Sequence, residues 1–165
     1  MSAVRVLGID PGITHLGLGA VAQEGQAFTL LHAELVETRP EEPASQRVGR
    51  IYRAVLTALR DHQLSAIAVE EQFFYRQNEL AYKVGWAMGG ILVAADQLGL
   101  PVYGYGPMQV KQSLVGYGRA EKEQVAYMVR RLLQLHEAPR VSHITDALAI
   151  ALTHCFHARH EELLR

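Results

Sequence analysis

Four residues carry side chains suited to gripping a divalent metal: Asp10, Glu70, His143 and Asp146. Asp10 closes the apolar run Val4-Arg5-Val6-Leu7-Gly8-Ile9 and is followed at once by Pro11-Gly12. A carboxylate at the end of so apolar a strand is costly unless a cation or hydrogen bonds compensate it. Glu70 closes a second short apolar run in the same way. His143 and Asp146 stand three apart near the start of a helix-forming stretch, a spacing that puts both on one helical face. Each alone has a plain explanation, Asp10 as a turn cap and His143 as a helix-opening residue. Together they point to metal chemistry.

Crowded carboxylates repel one another, and a divalent cation relieves that repulsion. Oxygen ligands with open positions suit Mg²⁺ or Mn²⁺. Two such ions roughly 3.5–4 Å apart can clamp the attacking and leaving oxygens of a phosphodiester. Asp10, on the central strand, is the candidate bridge; Glu70 completes one metal position and Asp146 the other. His143 serves the second metal or moves a proton. Its imidazole is softer than a carboxylate and suits Mn²⁺ somewhat better. Glu71 is expected on the opposite face from Glu70, because neighbours in a strand alternate.

The elements that must position these residues are legible from hydrophobic period. Val4 to Asp10 reads as a strand buried on both faces. His15 to Gln23 and Phe28 to Thr38 read as two more strands, joined by the turn Glu24-Gly25-Gln26 into an antiparallel meander. Ala44 to Gln63 is a helix with Val48, Ile51, Tyr52, Val55, Leu56 and Leu59 on one stripe. Ser65 to Glu70 is a strand, Asn78 to Leu98 a helix, and Pro101 to Tyr105 another strand. Pro107 opens a short helix, Ala120 to Leu135 forms a longer one, and Ser142, a good N-cap, starts the last. With that cap, His143 and Asp146 fall in the first turn.

This order predicts an α/β fold with a mixed five-stranded central sheet flanked by helices. Sites in such sheets lie at the carboxyl ends of strands, which brings Asp10 and Glu70 together.

Size and composition agree. The 165 residues, 49% hydrophobic and 20% charged, fit one globular domain spanning 1–165. No apolar run reaches the roughly 18 residues of a membrane span, and an acid and Pro-Gly come too early for a secretory signal. The single cysteine, Cys155, rules out an internal disulfide, reads as a small buried hydrophobe, and fits a reducing cytoplasm. Net charge is −1, but residues 1–75 hold six Lys/Arg and nine Asp/Glu, whereas residues 76–131 hold seven and four. A basic middle beside an acidic pocket is compatible with a phosphate substrate.

Taken together, these residues resemble the RuvC family of Holliday junction resolvases. The resemblance rests on Gly8-Ile9-Asp10-Pro11-Gly12, Val69-Glu70-Glu71-Gln72-Phe73-Phe74, Gln109-Val110-Lys111-Gln112, Ala120-Glu121-Lys122 and Asp146-Ala147-Leu148-Ala149-Ile150-Ala151, in that order. It implies an RNase H-like fold and a homodimer. The implied activity is symmetric paired nicking of four-way junction DNA with divalent metal. It implies work beside a branch-migration motor of the RuvA and RuvB type in recombination and repair. It also implies that Asp10, Glu70, His143 and Asp146 are the catalytic set. The third position is often Asp in this family; His143 stands there here, which bears on metal preference and pH dependence.

The segment Gln72-Phe73-Phe74-Tyr75-Arg76-Gln77-Asn78 puts three aromatics beside the rim. One suffices as a core anchor; exposed rings can stack on unpaired bases at about 1–3 kcal/mol each. The resemblance makes this loop the junction wedge, with Phe73 or Phe74 stacking and Tyr75 and Arg76 beside them. Lys111 and Lys122 match basic family positions that touch DNA, Arg119 lies on the flexible loop Gly116-Tyr117-Gly118-Arg119, and Arg76 and Lys83 could also reach phosphate. The small residues of the helix Asn78 to Leu98, Ala81, Gly85, Ala87, Gly89 and Gly90, suit either packing on the sheet or, by the resemblance, the dimer contact.

Three rivals differ in class. Asp10-Pro11-Gly12-Ile13-Thr14 also fits the phosphate loop of sugar kinases and actin-like ATPases, but those need two related domains and more residues. A non-catalytic junction binder gains nothing from acids near phosphates. An RNase H-type nuclease on other nucleic acids keeps the fold and changes only the substrate.

Overall fold

A computed structural model of the chain describes residues 3–71 and 79–163. Three strands open it: β1 (Val4–Asp10), β2 (His15–Glu24) and β3 (Ala27–Glu37). Then follow α1 (Ala44–Asp61), β4 (Ala66–Glu70), α2 (Glu79–Gln97), β5 (Val102–Tyr105), α3 (Pro107–Val115), α4 (Lys122–Leu132) and α5 (Ser142–Leu163).

The five strands form one sheet in the order β3-β2-β1-β4-β5. β1, β2 and β3 pair antiparallel, and β1–β4 and β4–β5 pair parallel. The mixed sheet and the meander are therefore as expected. β1 is central, so Leu7 and Ile9 look to one face and Val6 and Gly8 to the other.

One face is covered by α1 and α2. Their buried Ile51, Val55, Leu59, Ala87, Met88 and Ile91 pack with Leu7, Ile9, Leu18 and Ile67. The other face is covered by α5 with α3 and α4, through Leu148, Leu152, Val125, Val129 and Leu114 against Val6, Val21 and Ala68. Cys155 is fully buried in this second cluster, and burial pushes its thiol up to about 12.

Helix ends differ from the sequence expectation in ways the backbone explains. α4 runs from Lys122 to Leu132, shorter than 120–135. Glu121 and Gln124 form a reciprocal capping box that starts it, and Gln134 at φ 54° lies past its end. α1 stops at Asp61, with Gln63 in the left-handed region. In α5 Ser142 is the first helical residue and not the cap: the Val141 carbonyl accepts from Thr145 at 3.3 Å. His143 therefore lies in the first turn and Asp146 just beyond it.

Candidate active site

α5 approaches the sheet more closely than side chains would allow, and glycines make room for it. A Cβ on Gly8 would fall 2.0 Å from the Ala147 carbonyl oxygen, and one on Gly17 would fall 2.0 Å from that of His143. One on Gly19 would meet Leu148 at 2.7 Å. Gly17 is paired across from Asp10, so the groove delivers the start of α5 to the end of β1.

Asp10 leaves β1 on the same face as Gly8, toward α5. There His143 donates from Nδ1 to Asp10 Oδ2 at 2.8 Å. A carboxylate only accepts, so the proton of this bond is on Nδ1 and a neutral ring keeps its Nε2 lone pair for another partner. Ile9 is in register with Val69, so Asp10 and Glu70 come next to each other at the carboxyl ends of adjacent parallel strands. Glu70 shares the α5 face with Ala66 and Ala68.

Electrostatics tie Asp146 to this group. Burial raises the Asp10 carboxyl above its ordinary 3.8; the His143 hydrogen bond opposes the rise and the nearby Asp146 charge adds to it. Burial likewise raises Asp146, opposed by Lys122 and His143. Three of the sequence-predicted residues thus sense one another, and Glu70 stands in register beside them. Among the described residues no three His, Cys, Asp or Glu side chains are grouped closely enough to hold a metal ion as they stand. Burial raises both Asp10 and Asp146, and the Asp146 charge raises Asp10 further; such carboxylates are a donor set whose repulsion a divalent cation would relieve.

Lys122, the first residue of α4, acts on both Asp10 and Asp146. Sequence reasoning treated it only as a DNA contact. His15 was missed: its ring stacks on His143 with centroids 5.6 Å apart and parallel planes, and its Nε2 lies 3.6 Å from Glu37. The available signal was its position, directly after the Asp10–Thr14 turn. A second missed feature is Tyr105, in register with Glu70. Its hydroxyl lies 2.8 Å from Nδ1 of the buried His154.

Glu71 turns to the opposite face, over Gly104, where a Cβ would fall 2.0 Å from its Oε1. Lys111 is half-buried on α3, and Arg119 is exposed on the loop after it. Phe73, Phe74, Tyr75 and Arg76 lie outside the described residues.

Residues 6–154 match the family described as crossover junction endodeoxyribonuclease RuvC. The chain belongs to the RuvC family. Thermus thermophilus RuvC is 66% identical over 157 residues, covering 93% of this chain and 95% of the relative. RuvC of Pelotomaculum thermopropionicum is 39% identical over 97% of this chain and 98% of its own. The solved structure of T. thermophilus RuvC in complex with Holliday junction substrate superposes with a TM-score of 0.91 at 64% identity, covering 96% of each chain. A yeast mitochondrial Holliday junction resolvase, Ydc2, is 12% identical with a TM-score of 0.66, over 96% of this chain and 82% of its own, and shares the fold. The fold is the RNase H-like fold that the resemblance implied, with the mixed five-stranded sheet expected from the element order.

Proposed function

We propose that this chain, as one RNase H-like domain over residues 1–165, resolves Holliday junctions by symmetric paired nicks. The observation that carries the reading is the His143–Asp10 bond at the crossing of α5 and β1, with Glu70 next in register and Asp146 within electrostatic reach. An acidic arc on a sheet rim fits hydrolysis of a phosphodiester, and its RuvC membership makes a crossover in DNA the substrate.

In this reading Asp10 and Glu70 hold one Mg²⁺ or Mn²⁺, and Asp10, Asp146 and His143 hold a second. Such ions would supply Lewis-acid chemistry, lowering the pKa of water and stabilising charge on the leaving oxygen. The chain's own groups set the stage. His143 orients the Asp10 carboxylate, and the Lys122 ammonium offsets the negative field that the acids present to a phosphate. Phe73 or Phe74, with Tyr75 and Arg76, wedge and grip the crossover, and Lys111 and Arg119 hold backbone phosphates.

Paired nicks need two sites related by a two-fold axis. Tyr82, Trp86, Leu92 and Val93 of α2 are 43–53% exposed. Gly85 and Gly89 have nothing within 4 Å of a built Cβ. This apolar, small-residue face supports a homodimer through α2. A branch-migration motor of the RuvA and RuvB type as partner rests on the family alone. A cytoplasmic location rests on the single cysteine; among the described residues no helix is long and apolar enough to cross a membrane.

The test is cleavage of a four-way junction, a linear duplex and an RNA–DNA hybrid with Mg²⁺ or Mn²⁺. Junction-selective paired nicks are expected. Equal cutting of all three substrates refutes junction resolution and leaves the general nuclease.

A further inference from the structure

A cavity of ≈ 390 Å³ opens beside the acidic rim, lined by His15, Glu37, Thr38, Arg39, Glu42 and Arg50. One imidazole separates it from the candidate metal ligands, since His15 stacks on His143 at 5.6 Å. Successive nucleotides of a strand advance about 3.4 Å along the helix axis. The cavity is therefore placed for a phosphate one or two nucleotides from the one being cut.

Behind Thr38 in its lining lies an unusual charge. Arg47 is only 5% exposed. Its Nε donates to Thr38 Oγ1 at 2.9 Å and its Nη2 to Thr14 Oγ1 at 3.0 Å. Among the described residues no carboxylate is ion-paired with Arg47 or with the exposed Arg39. A buried guanidinium that ends on hydroxyls, with no anion, is a costly arrangement for structure alone. The two acids of the cavity are otherwise engaged. Glu42 accepts from Arg50 at 2.7 and 3.1 Å and from the Arg39 backbone N–H at 2.7 Å. Glu37 faces His15.

The hydroxyl protons complete the picture. Thr38 donates its own to the Ile13 carbonyl. Thr14 accepts from Arg47, and among the described residues no protein group takes its proton. The turn after Asp10 thus presents a hydroxyl polarised by a buried cation, and the exposed Arg39 guanidinium, which acts on Glu42 without an ion pair, lines the cavity.

We infer that this is a phosphate subsite for the nucleotide flanking the scissile phosphate. Thr14 O–H and the Arg39 guanidinium grip the phosphate oxygens, and Arg47 supplies the buried counter-charge. The inference rests on the DNA-cleaving function proposed above and names further binding residues for it.

The test uses the full chain without metal and reads junction affinity by fluorescence anisotropy. Junctions carry a single uncharged methylphosphonate at successive positions around the cleavage point. For the wild type, one position within two nucleotides of the cut is expected to cost about ten-fold in affinity, the worth of a charge-assisted hydrogen bond. Thr14→Val and Arg39→Gln should each lose a similar factor on the unmodified junction. For Arg39→Gln the slope of log affinity against log salt should fall by about 0.9. Neither variant should lose more on the methylphosphonate junction, and Thr14→Ser, which keeps the hydroxyl, should restore binding. Variants that bind the unmodified junction like wild type, or losses that add to those of the methylphosphonate, overturn the subsite and leave the function standing. Wild-type protein that neither binds nor cuts the junction overturns the function, and the subsite with it.

Discussion

Gly17 lies directly under the main chain of His143, so close that any Cβ would fall 2.0 Å from the His143 carbonyl oxygen. The residue paired with Asp10 is thus the one that lets the Asp10 partner arrive. Site and fold meet at a contact with no side chain on the sheet side.

Gly17→Ala should therefore harm both. The clash is with backbone, which cannot rotate away, and overpacking of this kind costs about 1–3 kcal/mol or more. Thermal denaturation should show a drop of about 2–4 °C per kcal/mol for a chain this size. Cleavage should fall further than stability explains, because α5 carries His143 with it when displaced. Unchanged melting would mean that α5 does not seat on this glycine.

Asp10→Asn should abolish cleavage and preserve junction binding. It should also stabilise the metal-free protein at neutral pH. The Asp10 carboxyl is raised above 3.8 in the fold, chiefly by burial. Between that value and the raised one the folded state holds more protons than the unfolded, so stability falls as pH rises. The gain from Asn is therefore full above the raised value and vanishes below pH 3.8. Melting curves across acid to neutral pH in chelator test it; a gain that grows on acidification contradicts the sign.

His143→Asp should still cut, with the ratio of rates shifted from Mn²⁺ toward Mg²⁺, since a carboxylate replaces the softer imidazole. A ratio identical to wild type removes His143 from the ligand set and leaves it only the orientation of Asp10.

Tyr105→Phe deletes one buried hydroxyl and its 2.8 Å contact with His154 Nδ1. An unsatisfied buried polar group costs about 1–3 kcal/mol. The loss should appear as reduced chemical-denaturation stability with the denaturant slope unchanged. Full stability would mean that water serves His154 equally well.

Trp86→Glu, on the exposed face of α2, should convert a dimer to monomers in analytical ultracentrifugation while leaving the fold intact. Junctions should then receive single, uncoupled nicks. A dimer that persists assigns the contact to another surface.

Much of this was legible in the sequence, for identifiable reasons. The strands announced themselves by apolar runs ending in Asp10 and Glu70, and α1 by its stripe. Shared strand ends and i,i+3 spacing sufficed to associate Asp10, Glu70, His143 and Asp146. α5 starts at Ser142 as expected, but its cap was misread: Ser142 is a better cap by type than Val141, yet the Val141 carbonyl takes the first helical bond. His15 at the rim was not legible, and Lys122 was legible only as a DNA contact, not as a charge acting on Asp10 and Asp146. Their roles come from where β2 and α4 begin in space, and neither residue breaks a pattern. Arg47 was hidden likewise, one polar residue beside the apolar stripe of α1, where a charge is ordinarily solvated.

The hydrogen bond between Asp10 and His143 spans 133 positions. During synthesis β1 leaves the ribosome well before α5, and amino-terminal parts begin folding as they emerge. The meander β1–β3 can form early, but its glycine-lined face stays bare and its acid unaccompanied until the final helix is made. An unfinished chain thus has Asp10 and Glu70 without Asp146 or His143. The order of translation keeps this four-residue cluster incomplete until α5 is built.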